Sequence, residues 1–154
     1  MTGRTGSRGG SRSSSSASAK VPIQQAKNTV KLIQTLGLTK NNSRLVKAYT
    51  DYEKNIRTAR GGIQRNEQEM RELPDDIERA GMRGQFQQEA ELEHSLETTR
   101  PKEKNMYQKW ANRLESNLKK EAQSVMADKN IANEVPKDHE ITSDEIDTLR
   151  ARFH

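Results

Sequence analysis

The sequence contains no cysteine, few aromatic residues and no long apolar run. The absence of cysteine excludes disulfides, thiolate nucleophiles and cysteine-based metal sites. No apolar run is long enough to cross a membrane, and no charged-then-apolar stretch follows Met1, so neither a membrane span nor a secretory signal is predicted. We therefore expect a soluble protein without a membrane partner, cytoplasmic or associated with a virion.

Large apolar side chains are scarce throughout the chain. Hydrophobic residues make up 30% of the 154 positions and charged residues 32%, and only six side chains are aromatic. This composition supports a thin core, so long helices, an oligomer or a partner must share the burial. No stretch alternates apolar and polar residues between turn dipeptides, as strands do. The sequence therefore predicts an all-α protein built from extended helices.

The net charge of +5 is unevenly distributed along the chain. Residues 1–20 carry four basic and no acidic side chains, and residues 21–73 have a net charge of +5. Residues 74–100 carry −4, residues 101–127 carry +3, and residues 128–154 carry −3. Blocks of opposite sign can attract one another within a bundle or between neighbouring copies.

The first segment, residues 1–20, combines Ser and Gly with four basic side chains, Arg4, Arg8, Arg12 and Lys20. Ordering a chain costs roughly 1–2 kcal/mol per residue in conformational entropy, and after Met1 this segment has no large apolar residue to offset it. We therefore expect it to be disordered. Basic side chains on a flexible neutral background bind nucleic acid by counterion release, without reading its sequence. The segment is a candidate nucleic-acid-binding arm, with a solubilising tail as the alternative.

The chain from Val21 to residue 127 has helical periodicity. Pro22 and the apolar spacing after it predict a short helix over 22–36 that ends at Gly37. A heptad seam follows, and it is the strongest pattern in the chain. Its members are Leu45, Tyr49, Tyr52, Ile56, Ala59, Ile63, Asn66, Met70 and Leu73. We predict that this seam is a helix interface of the coiled-coil type, in which Asn66 sets the register and Gly61-Gly62 marks a bend.

Prolines predict the later boundaries. Pro74 is expected to end the seam helix, a sparser helix is expected over 75–98, and Pro101 opens a fourth amphipathic stretch. The main interface residues of that stretch are Trp110, Leu114 and Leu118.

The C-terminal region divides into two parts. Residues 128–140 are polar and are interpreted as a linker. Thr142 and Glu145 form a capping-box pattern that opens a last helix within 141–154. Its apolar face is a candidate partner-docking surface formed by Ile146, Leu149 and Phe153.

No pattern of residues predicts catalysis, a metal or a cofactor. The three histidines lack helical metal-site spacing, and the glutamates around His94 are more typical of a solvated acidic face. The stretch from Asp128 to Glu140 fails as a calcium loop because Ala132 and His139 occupy positions that need oxygen ligands. The serines cluster in the first segment, where no base can be held beside them, so we predict that the protein is not an enzyme.

The region 30–50 allows a second interpretation. Gly37 stands between an apolar helix end and a basic helix that carries Lys40, Arg44 and Lys47, as in a degenerate helix-turn-helix. Ile33 and Ser43 depart from that pattern, and Gly37 can equally be a simple helix terminator.

Three functional hypotheses follow. The first is a structural or assembly protein, such as a virion or scaffold component, that oligomerises through residues 21–127 and contacts nucleic acid through residues 1–20. The second is a DNA-binding regulator that uses residues 30–50. The third is a helical adaptor that binds other proteins.

Overall fold

The structure, a computed structural model, describes residues 20–153. Over these residues the fold is all-α, as the sequence predicts, and no strand is present among them. Arg4, Arg8, Arg12 and the other residues of 1–19, together with His154, lie outside the described residues. The chain divides into two compact units. Unit 1 combines residues up to Glu53 with Leu114–His154, and unit 2 is the intervening Lys54–Arg113.

Five α-helices and three shorter helical turns make up the described chain. The α-helices are α1 (Ile23–Thr35), α2 (Ser43–Met82), α3 (Phe86–His94), α4 (Arg100–Asp128) and α5 (Ser143–Arg150). Short 3₁₀ turns cover Lys40–Asn42 and Ala151–Phe153, and a π-helical turn at Ser95–Thr99 joins α3 to α4.

Unit 1 contains most of the core. Sixteen apolar side chains are buried among its described residues, contributed by Val21, α1, the start of α2, the second half of α4, the segment after α4, and α5. They are Val21, Ala26, Val30, Leu32, Ile33, Leu45, Tyr52, Leu114, Leu118, Ala122, Met126, Ile131, Val135, Ile141, Ile146 and Leu149. Burial of this extent is the main favourable term for folding.

Unit 2 is an antiparallel helical hairpin. Residue numbers rise along α2 while those of their partners fall along α4, since Glu67 pairs with Lys104 at 3.0 Å and Glu69 with Arg100 at 3.3 Å. Only five apolar side chains are buried in this unit, and three of them are alanines. The five are Ile56, Ala59, Leu73, Ala80 and Ala111.

Three helices end in the same backbone motif. Gly37 and Gly84 have φ of +72° and +73°, and Asn130 has φ of 55°. After each helix, the N–H that follows the left-handed residue bonds to the carbonyl five residues back, as in the 2.9 Å bond from the Ile131 N–H to the Met126 carbonyl. This is the Schellman motif, which satisfies carbonyls that a helix end leaves free. Gly37 therefore acts as a helix terminator, and the helix predicted over 22–36 is confirmed to within a residue at each end.

The expected break at Pro74 is wrong. Pro74 lies inside α2, which continues to Met82 and ends at the Gly84 turn. A helix-interior proline removes one backbone hydrogen bond, but the buried face of α2 continues on both sides of it through Leu73 and Ala80. Packing on both sides of the proline keeps the helix in one piece. The helix predicted over 75–98 is consequently divided between the end of α2 and α3.

Candidate interaction surfaces

The basic residues proposed for nucleic-acid contact fall into two groups. In the first segment, Lys20 is exposed, and the three arginines lie outside the described residues. Lys40, in the 3₁₀ turn before α2, and Arg44 and Lys47, in the first turns of α2, are exposed. A spacing of three residues puts Arg44 and Lys47 on one side of the helix.

Acidic side chains lie close to this second group. Arg44 and Lys47 line a groove of about 350 Å³ in unit 1, together with Asp51 and Glu121. The Lys47 ammonium is 3.2 Å from the Asp51 carboxylate. The groove therefore offers mixed charge to a ligand.

The heptad seam on α2 is buried unevenly. Tyr52, Ala59, Asn66 and Leu73 at one set of seam positions are buried. Of the other set, Ile56 is buried, whereas Tyr49, Ile63 and Met70 are half-buried. Leu45, Leu114 and Leu118 belong to the core of unit 1, and Trp110 is half-buried in unit 2. Part of the predicted interface is thus filled by this chain itself, and part remains accessible.

Asn66 lies at the centre of a polar network in unit 2. Its side-chain amide donates to the Gly62 carbonyl at 2.8 Å and to Glu103 Oε1 at 3.2 Å. Arg100 Nη1 donates to Asn66 Oδ1 at 2.9 Å and also to Glu69. The network joins α2 to the first turn of α4, so the buried Asn66 contacts a helix of the same chain. Its role in setting the register stays a prediction.

Gly62 allows the two helices of unit 2 to approach closely. A Cβ atom at this position would lie 2.5 Å from the Tyr107 ring, whereas one at Gly61 would meet nothing within 4 Å. The same ring is also contacted by Arg65, whose guanidinium carbon lies 5.9 Å from the Tyr107 ring centroid. The glycine pair predicted to mark a bend therefore includes a packing position, and α2 runs through both residues without a break.

Large apolar side chains are exposed only in unit 2 among the described residues. Met82 is 80% exposed and Phe86 is 70% exposed, on either side of the Gly84 turn, and Met106 on α4 is 59% exposed. Isolated exposed apolar residues are common, but two beside one turn of a hairpin with a small core are typical of an interaction surface.

Two polar side chains of α1 hold the segment that follows α4. The Gln25 amide donates to the carbonyls of Ala132 at 2.7 Å and Val135 at 3.1 Å. The Asn28 amide donates to the carbonyls of Pro136 at 2.9 Å and His139 at 2.7 Å, and its oxygen accepts from the Ile141 N–H at 3.0 Å.

Both side chains are buried, and these bonds satisfy their amide groups, which would otherwise be costly to bury. The segment interpreted as a polar linker is consequently fixed against α1, with Ile131 and Val135 in the core. Sequence reasoning missed this arrangement. Its signal was the presence of Gln25 and Asn28 among the apolar residues of a short helix.

His139 connects this segment to the start of α5. Its Nδ1 lies 3.0 Å from Asp138 Oδ1 and its Nε2 lies 3.1 Å from Glu145 Oε2. Hydrogen bonds to Asp138 and then to Glu145 raise the pKa of His139. The hydrogen bond with His139 lowers the pKa of Asp138. The backbone hydrogen bond from Thr142, followed by that with His139, lowers the pKa of Glu145.

Glu145 also completes the capping box predicted for α5. Thr142 Oγ1 accepts from the Glu145 N–H at 3.2 Å, and Glu145 Oε1 accepts from the Thr142 N–H at 2.9 Å. The prediction of this helix start is confirmed. A protonated His139 therefore makes a charge-assisted hydrogen bond to a carboxylate that already caps a helix.

The apolar face of α5 needs a correction. Ile146 and Leu149, predicted to dock on a partner, are each 2% exposed, and Phe153 is half-buried. Phe153 also lies beneath Lys129, whose ammonium is 5.3 Å from its ring centroid. The first two side chains form part of this chain's own core, so they leave no open docking face.

Over residues 20–153, no group of three or more His, Asp or Glu side chains is arranged to hold a metal ion. No helix in that range is long and apolar enough to span a membrane. The chain matches no protein-family model, no curated protein and no solved structure.

Proposed function

We propose that this chain is a structural or assembly protein that self-associates through unit 2 and contacts nucleic acid through the basic segment 1–20. The observation that carries the proposal is the incomplete burial of unit 2. Its hairpin buries five apolar side chains and leaves Met82, Phe86 and Met106 exposed. A two-helix hairpin covers only one stripe of each helix, so its remaining apolar surface favours association.

Self-association would raise the nucleic-acid affinity of the basic segment 1–20, because an oligomer carries several copies of it. Four basic side chains in residues 1–20 supply modest affinity to one copy. Linking several arms through self-association raises the effective concentration of each arm at a polyanion. A virion, scaffold or assembly component needs this combination of self-association and unselective nucleic-acid contact, and that role is proposed from architecture alone.

Sedimentation of the full chain tests the self-association half. We expect a mass above that of one chain within the micromolar range, and a reduced mass for the double variant Met82→Ser with Phe86→Ser. A double variant with serines at Gln87 and Gln88, which are exposed polar positions of the same turn region, serves as the control. A monomer at every concentration would remove this half of the proposal.

Salt-dependent binding tests the nucleic-acid half. The triple variant Arg4→Ala, Arg8→Ala, Arg12→Ala should weaken binding to duplexes of unrelated sequence equally. The plot of log K against log salt has a negative slope, and its magnitude should decrease by about 3 per chain, because each lost phosphate contact removes about 0.9. Binding that is unchanged by these substitutions would count against the arm.

A second candidate is duplex binding through residues 30–50. The exposure of Arg44 and Lys47 on one side of α2, with Lys40 exposed in the turn before it, supports it. The acidic side chains at the neighbouring groove oppose it. Sequence-selective binding that survives loss of residues 1–19 and disappears in Arg44→Ala with Lys47→Ala would favour this candidate over the arm.

A further inference from the structure

The charges of unit 2 are separated along the length of its hairpin. The contact of Asn66 with Glu103 places these two residues level with each other, so they divide the hairpin into two halves. The base half, residues 54–65 and 104–113, carries seven basic and no acidic side chains. The tip half, residues 66–103, carries eleven acidic and five basic side chains. One end of the hairpin therefore has a net charge of +7 and the other a net charge of −6.

Ion pairs within the hairpin leave this separation intact. Pairs such as Arg100 with Glu69 and Arg79 with Asp76 join side chains of the same half, so they do not change its net charge. Lys104 with Glu67 joins the two halves at their border. The hairpin is consequently an elongated object with opposite charges at its two ends.

An apolar stripe crosses the border between the halves. Ile63, Met70 and Ile77 follow one another along α2 at intervals of seven residues and are all half-buried. That interval keeps side chains on one side of a helix. Ile63 belongs to the base half, and the other two belong to the tip half. A partner that covers this stripe must lie along both halves and therefore meet both signs of charge.

From these two observations we propose that the partner is a second copy of this chain, with the two unit 2 hairpins packed antiparallel. The tip half of each copy then lies along the base half of the other. This inference rests on the self-association proposed above and specifies its surface and direction. Two-fold symmetry repeats each contact, so the attraction between −6 and +7 acts twice. A parallel pair would place like charges together.

Nucleic acid fits this surface less well. The base half alone suits a phosphate backbone, but the stripe continues into the tip half, whose net negative charge repels phosphates. Apolar side chains at heptad spacing are typical of helix partners and contribute nothing to phosphate binding. A second copy supplies both the matching charges and a matching stripe.

Charge reversal on the full chain tests the pairing. The base variant is Lys54→Glu with Arg57→Glu, and the tip variant is Asp75→Lys with Glu78→Lys, three heptads further along the same side of α2, all at exposed positions. Each variant alone should raise the dimer Kd at least about tenfold at low salt, with a smaller effect at high salt, because screening weakens exposed charges. An equimolar mixture of the two should recover the wild-type Kd. Lys120→Glu with Lys137→Glu makes the base variant's charge change at exposed unit 1 positions and should leave the Kd unchanged.

Distances between labels test the direction, and the absence of native cysteines allows single sites to be labelled cleanly. Residues 54–82 of α2 span about 40 Å at 1.5 Å per residue. In an antiparallel dimer the two tips lie at opposite ends, so spin labels at Gln87→Cys in both copies should be about 40 Å apart. A mixture of Gln87→Cys with Thr58→Cys chains should add a distance below about half of that length. A short tip-to-tip distance would overturn the antiparallel arrangement.

The outcomes separate this inference from the function on which it rests. A wild-type chain that stays monomeric removes both. A wild-type dimer whose Kd is unchanged in the base and tip variants keeps self-association and removes the hairpin pairing. A base variant that loses duplex binding while its dimer Kd stays constant overturns the inference in favour of a nucleic-acid surface on the base half.

Discussion

The two units bury apolar surface to very different extents although they share helices α2 and α4. Unit 1 buries sixteen apolar side chains in its described residues, including Leu32, Ile33 and Leu118, whereas unit 2 buries five, mostly alanines. Within residues 20–153, the three large hydrophobic side chains that are exposed all belong to unit 2. A chain with few apolar residues thus concentrates its burial in one unit and leaves large apolar side chains of the other exposed.

Core truncation should give the largest difference between the units. Leu118→Ala in unit 1, where the side chain is fully buried, should lower the free energy of unfolding by about 3 kcal/mol, because the transfer and cavity costs add. Met70→Ala in unit 2 is the matched change at a half-buried site and should cost about 1 kcal/mol or less. Urea denaturation at a concentration that gives monomers measures both. Equal losses would contradict the contrast between the units.

Removal of the Asn28 side chain should be the next largest effect. Asn28→Ala leaves the Pro136 and His139 carbonyls and the Ile141 N–H without their buried partner. We expect a loss of about 2–4 kcal/mol in the free energy of unfolding, since unsatisfied buried groups carry their full desolvation cost. Hydrogen exchange should accelerate at Ile141. Gln34→Ala, at an exposed position of the same helix, should change neither quantity appreciably; similar exchange in both variants would argue that this contact does not hold the segment.

Alanine substitutions at Gly61 and Gly62 test whether the two helices of unit 2 need a glycine where they approach closely. Gly62→Ala places a Cβ against the Tyr107 ring, so the helices must separate, and we expect a loss of about 1–2 kcal/mol in stability. Gly61→Ala meets open space and should gain up to about 1 kcal/mol through helix propensity. Thermal unfolding of the two variants should therefore shift in opposite directions. Shifts of the same sign would show that the close approach at Gly62 is not a packing constraint.

The smallest effect concerns pH and unit 1. Because the pKa of His139 is raised in the folded chain, its contribution to stability is fully present below its unfolded value of 6.5 and is lost as pH rises through the folded value. Asp138 and Glu145 have lowered pKa values, so their contributions are present above the unfolded values and are lost as pH falls. His139→Gln should flatten the decline in Tm between about pH 6 and pH 8, because it removes the imidazole whose pKa is raised in the folded chain. Parallel pH profiles for wild type and variant would remove this role of His139.

Local signals in the sequence predicted local structure well. The helix over 22–36 and the Thr142–Glu145 capping box depend on neighbouring residues, and both are present. Pro74 misled because the cost of a proline is local, whereas the packing that keeps α2 continuous comes from another helix. Asn130 was missed as a helix terminator, since asparagine adopts the left-handed conformation less often than glycine.

The candidate surfaces were harder to predict than the helices. Gln25 and Asn28 bind main-chain groups more than 100 residues away, and no sequence pattern encodes such pairing. Ile146 and Leu149 form the apolar face that was expected, but sequence periodicity cannot tell whether such a face is covered by the same chain or by another. The separated charges of unit 2 become visible only when the hairpin brings residues 54–65 beside 104–113.

The arrangement of the two units along the chain also determines how folding can proceed. In unit 2, the number of residues between a position on α2 and its partner decreases toward the turn, as from Glu67–Lys104 to Glu69–Arg100. The hairpin can therefore close progressively from Gly84. Unit 1 must instead bring Gln25 to Ala132, a separation of 107 residues. Closing so large a loop carries an entropy cost that a preformed hairpin reduces by shortening the flexible chain between the two segments. The unit with the smaller core is therefore expected to form first and to guide assembly of the more stable one.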